Sequence, residues 1–382
     1  MVFHKSDPKY RQCAVTVMDN IADPDISFDK NGICNYYHDY KKAEKDVLFG
    51  DVGEKRIHQL AGSIKERGKG KKYDCLIGLS GGVDSTYVAY LVKKLGLRPL
   101  AVHLDNGWNS ELAVKNIENI ISKLNIDLFT LVVNWPEFKD IQLSYLKASV
   151  VDIEVVSDHA ITATMYKLAK EHNIGYIISG TNFVTEHIMP PSWIYKKMDF
   201  ANLRDIHNTY GQVKIKTYPF MDFKKFVYYS AVLKLTPISI LNYVSYNKQE
   251  VKQFIANELD WRDYGGKHYE SIFTKFYQAY ILPEKFKIDK RKAHLSTLIC
   301  SGQITREMAM EELALPIYNQ GQLKQDKEYA LKKLGLSERE FDAIMRTAPK
   351  SHSEFKTDAG MKQKYMRFLE ATYGARKMFK KT

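Results

Sequence analysis

Cysteine is scarce: Cys13, Cys34, Cys75 and Cys300 are the only four in 382 residues, too few and too scattered to staple a secreted fold. Apolar runs of membrane-spanning length are missing, and the opening MVFHKSDPKYRQ lacks the apolar core of a signal peptide. These absences point to a cytoplasmic protein without membrane contact. Also lacking is GxxxxGK[ST], the phosphate loop that carries a lysine. A glutaminase nucleophile is missing as well: residue 2 is Val2, so no mature N-terminal cysteine would form, and no length is left over for a second catalytic domain. Cys75 sits in an apolar strand-like run and Cys300 in HLSTLICSG, so both read as core residues and not as sulfur-transfer groups. Acidic residues are the minority, 45 against 57 Lys and Arg, and the net charge of +12 makes anions the expected ligands.

Apolar residues make up 45% of the chain, whose length allows two or three domains and a large core. Residues 1–45 are polar and turn-rich, and DPDISFDKNGIC reads as two short strands about Asn31-Gly32. GEKRIHQLAGSIKERGKGKK reads as a linking helix. From Tyr73 strands (YDCLIGLS, LRPLAVHLDNG, DLFTLVVNW, GYIISGTN) alternate with helices (STYVAYLVKKLG, SELAVKNIENIISKLN, DHAITATMYKLAKEHN). Continuous apolar strands interleaved with helices predict an α/β fold over residues 46–220, a parallel sheet with helices on both faces. Residues 221–382 read as helical, with FKKFVYYSAVLKL, KQEVKQFIANELDW, HYESIFTKFYQAYILPEKF and TREMAMEELA, and with a capping box from Ser337 to Glu340 just after Gly335.

The chemistry concentrates in SGGVDS, Ser80 to Ser85, where the first strand ends and its helix begins. Glycines let the backbone approach a ligand closely, and a helix N-terminus presents N–H groups with partial positive charge, so a phosphate belongs there. Ser80 and Ser85 add hydroxyls, and Asp84 orders the turn or holds a magnesium ion. The turn lacks GxGxxG spacing. Two other strand ends face the same edge: His103, Asp105, Asn106 and Gly107 follow the second strand, and Gly180, Thr181 and Asn182 the fourth.

On its SGGxDS loop the chain resembles the N-type ATP pyrophosphatases, the PP-loop enzymes of adenine nucleotide alpha hydrolase-like fold, which hold the β- and γ-phosphates of ATP and transfer AMP. With VHLDNGWNS, DIEVVSDHAI, SGTNFVTEHIMPPSW and DWRDYGGKHYESIFTKFYQAYILPEKFKIDKRKAHLSTLICSGQITREMAMEEL, it resembles the N-acetyl sugar amidotransferases of WbpG/PseA type from about residue 10 to residue 350. That resemblance implies ATP and Mg2+ as cofactors and a nucleotide-linked acetamido sugar as substrate, a UDP-2,3-diacetamido uronic acid in one branch. The product would be an acetamidino sugar for O-antigen or flagellin. Ammonia would come from a separate glutaminase paired with a cyclase-like barrel.

The residues implied are Ser80, Gly81, Gly82, Val83, Asp84, Ser85, His103, Asp105, Gly180 and Thr181 for ATP, with Asp84 for magnesium. Asn182, Glu186, His187, Arg291, Lys292 and His294 would meet the substrate, and Asp84, Glu186 and Lys292 would be catalytic. Asp158 and His159 would cap the third helix, with a catalytic role for Asp158 as the equal alternative. The family's N-terminal module has two CxxC pairs, but here Thr16 and Tyr37 stand where Cys13 and Cys34 would have partners. No zinc is expected, because two thiolates fall short of a tetrahedral site and only His38 lies near. Two other readings remain at this point: a PP-loop enzyme that modifies tRNA, and a non-catalytic nucleotide-binding scaffold of a glutaminase complex.

Overall fold

The computed structural model describes residues 7–266, 269–367 and 370. Residues 1–6, part of the stretch read for a signal peptide, and the last residues of the 221–382 region lie outside the described residues. Five parallel strands form one sheet in the order β3-β2-β1-β4-β5: β1 (Cys75–Gly78), β2 (Pro99–Asp105), β3 (Asp127–Val132), β4 (Tyr176–Ser179) and β5 (Thr236–Ser239). Four of these match the strands expected from sequence. The fifth, TPIS, pairs Thr236 to Ser239 with Tyr176 to Ser179, so the sheet runs past the boundary expected at residue 220. Pro237, which donates no ladder hydrogen bond, is tolerated because β5 is an edge strand.

Helices α1 (Asn35–Ala43) and α2 (Gly50–Arg67) precede the sheet, and α3 (Val83–Lys94), α4 (Glu111–Leu124), α5 (Trp135–Ala148) and α6 (Val155–Glu171) connect β1 to β4. Both sheet faces are covered, as the period of the strands demands. Ile77, Ala101 and Ile178 share a core with Val88, Leu91 and Val92 of α3. On the other face Leu76, Leu100, Val102 and Ile177 cluster with Ala163, Tyr166 and Leu168 of α6. Each such aliphatic side chain contributes about 1.5–3 kcal/mol by leaving water. Local signals set the ends: Ser110 and Asn134 accept from the N–H groups of Ala113 and Glu137, and Asn125 closes α4 in a left-handed conformation. The third predicted helix starts earlier than expected, at Val155, so Asp158 lies in its first turn and Glu154 is the N-cap residue.

Beyond β4 the chain is helical except for β5: α7 (Phe183–Glu186), α8 (Phe200–Tyr210), α9 (Phe223–Val227), α10 (Lys248–Leu259), α11 (Ile272–Phe276), α12 (Arg291–Cys300), α13 (Arg306–Ala314), α14 (Gln320–Leu334) and α15 (Glu338–Arg346). A π-helix, Tyr277–Phe286, continues α11. Ser337 and Glu340 form the expected capping box of α15. Among the described residues no helix is long and apolar enough to cross a membrane.

The N-terminal module folds around its two remaining thiols. An antiparallel bridge joins Phe28 to Cys34, with Gly32 left-handed at the turn. The Cys13 sulfur accepts from the N–H groups of Thr16 (3.4 Å) and Cys34 (3.3 Å), and Thr16 Oγ1 lies 3.7 Å from Cys34 Sγ. Hydrogen bonds from the Cys34 thiol and from Thr16 hold the Cys13 thiol below its ordinary value. His38 is turned to Asp29, 3.0 Å away. The module docks on α12 and α13: Ser296 Oγ accepts from Val17 N–H, and Arg306 donates to Thr16 O and Gln12 Oε1.

Candidate active site at the join of two regions

Because β2 and β3 lie to one side of β1 and β4 and β5 to the other, the strand order reverses between β1 and β4. Ligands of open parallel sheets bind outside the carboxyl ends at such a point. Ser80 to Ser85 leave β1 there. Gly81 is left-handed (φ +82°), and a Cβ on it would lie 2.8 Å from the Ala113 carbonyl oxygen, so only glycine fits. Gly180, at the end of β4, presses on the same loop: its Cβ would lie 3.1 Å from the Asp84 backbone carbon and 3.2 Å from Ser85 N. Within the turn Ser80 Oγ accepts from Gly82 N–H (3.2 Å), and Ser85 Oγ, 3.2 Å from Ser80 Oγ, donates to Gly82 O (3.1 Å). The hydroxyls thus hold the loop's shape around the start of α3.

A cavity of about 180 Å³ lies over the turn. Ser80, Gly82, Val83, Asp84 and Ser85 line it from the loop, and Gly180, Thr181 and Glu186 from the end of β4 and α7. Its far wall comes from outside the first four strands: Lys248 and Lys252, one turn apart on α10, with Asp263, Tyr264 and Glu270. Lys252 pairs with Asp263 at 2.6 Å, and the Trp261 indole N–H donates to Gly81 O at 2.8 Å, pinning the loop. Tyr246, buried at 4% exposure, donates its hydroxyl to Asp84 Oδ1, which also accepts from Asn182 Nδ2 at 3.3 Å. Burial, then the Asp84 charge, holds the Tyr246 hydroxyl far above its ordinary value, so it stays a donor. Tyr246, Lys248, Lys252, Asp263 and Tyr264 were not singled out from sequence. Only the Gly265-Gly266 pair inside a helical region marks their neighbourhood.

The other expected residues divide. His103 and Asp105 organise the end of β2: His103 Nδ1 donates to Leu79 O (3.0 Å), its Nε2 accepts from Asn109, and Asp105 Oδ1 accepts from Gly107 N–H. Burial lowers the His103 value, so the ring is neutral. Asn182 caps α7 and touches Asp84, whereas His187 packs on Phe183 and Tyr40.

Arg291 and His294 line a second, larger cavity of about 860 Å³. Arg291 pairs with Asp289 at 2.9 Å and donates to the carbonyls of Glu312 and Leu315 at the end of α13. Lys292 lines neither cavity; its ammonium lies 2.6 Å from Asp19, which is 1% exposed. His159 is buried in the core beneath Met221.

Lys248, Lys252 and Gly266 line both cavities, so the two are neighbours across these residues. The larger one is walled by Gln278, Lys290 and the α12 residues Leu295 and Leu298, with Met308 of α13 opposite. Glu154 braces its floor, 2.8 Å from Lys290 and 2.9 Å from Gln278.

Two family models match the chain, one on either side of the segment that carries Lys248 to Gly266. Residues 54–209 match NAD synthase. Residues 270–370 match the C-terminal domain of WbpG-like LPS biosynthesis proteins. The chain joins an NAD-synthase-type PP-loop domain to a WbpG-like C-terminal domain. The two matches together define its PP-loop and WbpG-like regions. An uncharacterized protein of Methanocaldococcus jannaschii is 23% identical over 271 residues, 69% of this chain and 79% of its own length. The tRNA(Ile)-lysidine synthase of Chlamydia pneumoniae is 37% identical over 76 residues, 19% of this chain, and only 23% of that protein is covered. Among solved structures, the NH3-dependent NAD synthetase of Campylobacter jejuni aligns with 78% of this chain and 98% of its own at 13% identity, TM-score 0.30. The PP-loop domain supplies the near wall of the small cavity, and the WbpG-like domain most of the large one.

Proposed function

We propose that the chain is an ATP-dependent amidotransferase that converts an acetamido group of a nucleotide-linked sugar to an acetamidino group, with AMP and pyrophosphate as the other products. The supporting observation is that Lys248, Lys252 and Gly266 line both cavities, which sets a chamber of the WbpG-like domain beside the PP-loop. In this reading the small cavity takes the ATP phosphates and the large one the sugar nucleotide, whose volume it suits.

The amide oxygen attacks the α-phosphorus and pyrophosphate leaves. Ammonia then adds to the imidate carbon, and AMP departs carrying the former amide oxygen. The Ser80 and Ser85 hydroxyls and the N–H groups at the start of α3 hold the leaving pyrophosphate, with Lys248 and Lys252 offsetting its charge from the far wall. Catalysis is then mainly positioning and charge neutralisation. The donor set, carboxylate oxygens of Asp84 and Glu186 beside serine hydroxyls, suits a hard divalent cation such as Mg2+, with Asp84 the ligand. Magnesium, when bound, would shield the phosphate charge. Arg291 and His294 belong to the substrate chamber in this reading.

Cytoplasmic sugar-nucleotide pools supply the acceptor, and a partner glutaminase with a cyclase-like barrel supplies ammonia. The test is pyrophosphate release from MgATP and ammonium, with and without UDP-2,3-diacetamido uronic acid, with the sugar weighed by mass spectrometry. Sugar-dependent release with amide becoming amidine supports the reading, and Asp84→Ala should abolish it in a folded protein. Release that depends on bulk tRNA instead would replace it with RNA modification. ATP binding without release under either substrate would favour a scaffold.

A further inference from the structure

Asp84 is not oriented by its own loop alone. Tyr246 donates to Asp84 Oδ1 from 162 residues away, and Asn182 donates to the same oxygen at 3.3 Å. Two donors on one oxygen fix the plane of the carboxylate and thereby the direction of Oδ2. Tyr246 is itself held. Its ring packs 5.8 Å from that of Tyr87 on α3, and its carbonyl accepts from Gln303 Nε2 at 3.1 Å. The other end of the same side chain, Gln303 Oε1, accepts from Lys248 N–H at 3.0 Å. Gln303 therefore grips both the residue that orients Asp84 and the first lysine of the far wall. It stands just after α12, the helix that presents His294, Leu295 and Leu298 to the large cavity.

We propose that Tyr246 is the positioning residue for the cation-binding oxygen of Asp84, and that Gln303 ties this setting to the helix that walls the acceptor chamber. The inference rests on the reading of Asp84 as the ligand of a divalent cation. Outer hydrogen-bond partners of a metal-binding carboxylate aim it, and losing one lowers metal affinity by about 10–100-fold. Tyr246→Phe removes the donor and keeps the ring. Gln303→Met releases the link without touching the buried ring.

The experiment titrates Mn2+ into the full-length protein with a non-hydrolysable ATP analogue, following free Mn2+ by electron paramagnetic resonance. AMP affinity and the urea midpoint are measured alongside. Tyr246→Phe should weaken Mn2+ binding by about 10–100-fold with AMP affinity and midpoint unchanged, and Gln303→Met should weaken it in the same direction by a smaller factor. Asp84→Asn is the reference. If it loses Mn2+ binding while Tyr246→Phe binds as wild type, Tyr246 only packs and this inference falls alone. If Asp84→Asn also binds as wild type, the reading of Asp84 falls and takes the inference with it.

Discussion

Gly180→Ala adds a single methyl group at the point where β4 meets the Ser80–Ser85 turn. That methyl would stand 3.1 Å from both the backbone carbon and Cβ of Asp84 and 3.2 Å from Ser85 N, so relief must come from the loop's main chain and not from a side-chain tip. Overpacking of this kind costs about 1–3 kcal/mol. Because the atoms that must yield are those that would receive the phosphates, the cost should appear in ligand binding, as a loss of ATP affinity of about 5- to 150-fold. Gly78→Ala is the matched control: it lies at the end of the adjacent strand β1, and nothing comes within 4 Å of its Cβ. Isothermal calorimetry with MgATP on both variants, with urea unfolding as a check on folding, reads the difference. Equal ATP affinity in the two variants would refute the placement of the phosphates on the Ser80–Ser85 turn.

Lys292→Met should leave the buried Asp19 carboxylate uncompensated and lower unfolding stability by about 3–5 kcal/mol with ATP affinity unchanged. Lost ATP affinity at normal stability would instead put Lys292 in the chemistry. Thr16→Cys with Tyr37→Cys should restore a four-thiolate site and bind one zinc per chain by elemental analysis, since Thr16 already sits 3.7 Å from Cys34 Sγ. A zinc-free double variant would show that the module has lost the knuckle geometry.

Burial pushes His159 and His352 down to about 4, below the unfolded value near 6.5, so folding favours the neutral rings. Their contribution is complete above pH ~6.5 and is lost as pH falls toward 4, about 2 kcal/mol per ring by pH 5. Urea midpoints at pH 7 and pH 5 should show this slope, diminished in His352→Gln; an unchanged slope in that variant would count against it.

The Ser80–Ser85 turn was legible because its six residues are contiguous and their chemistry is local: hydroxyls, glycines and a helix start. The sheet was legible up to Ser179, where each strand is an apolar run. TPIS was not, since four residues with a proline inside a helical region carry no periodic signal. Helix α5 escaped notice because its buried set includes Glu137, Asp140, Gln142 and Ser144, which blur an apolar stripe. Asp140 and Glu137 are there to receive backbone N–H groups of residues 212–218, a demand visible only in three dimensions. The same holds for Tyr246, Lys248 and Trp261, whose meaning lies in what they reach. For Lys292 the basic run KIDKRKAH suggested phosphate, yet that ammonium lies against a carboxylate from the opposite end of the chain.

The far wall of the small cavity also sets an order on synthesis. A chain emerging from the ribosome releases its Ser80–Ser85 turn early, but β5, Tyr246, the α10 lysines and Tyr264 follow only after the first four strands and the nine helices α1–α9 are out. Gln303 comes later still. The small cavity is therefore not closed during the first half of translation, and a product broken off near residue 220 would carry the complete motif without its far wall.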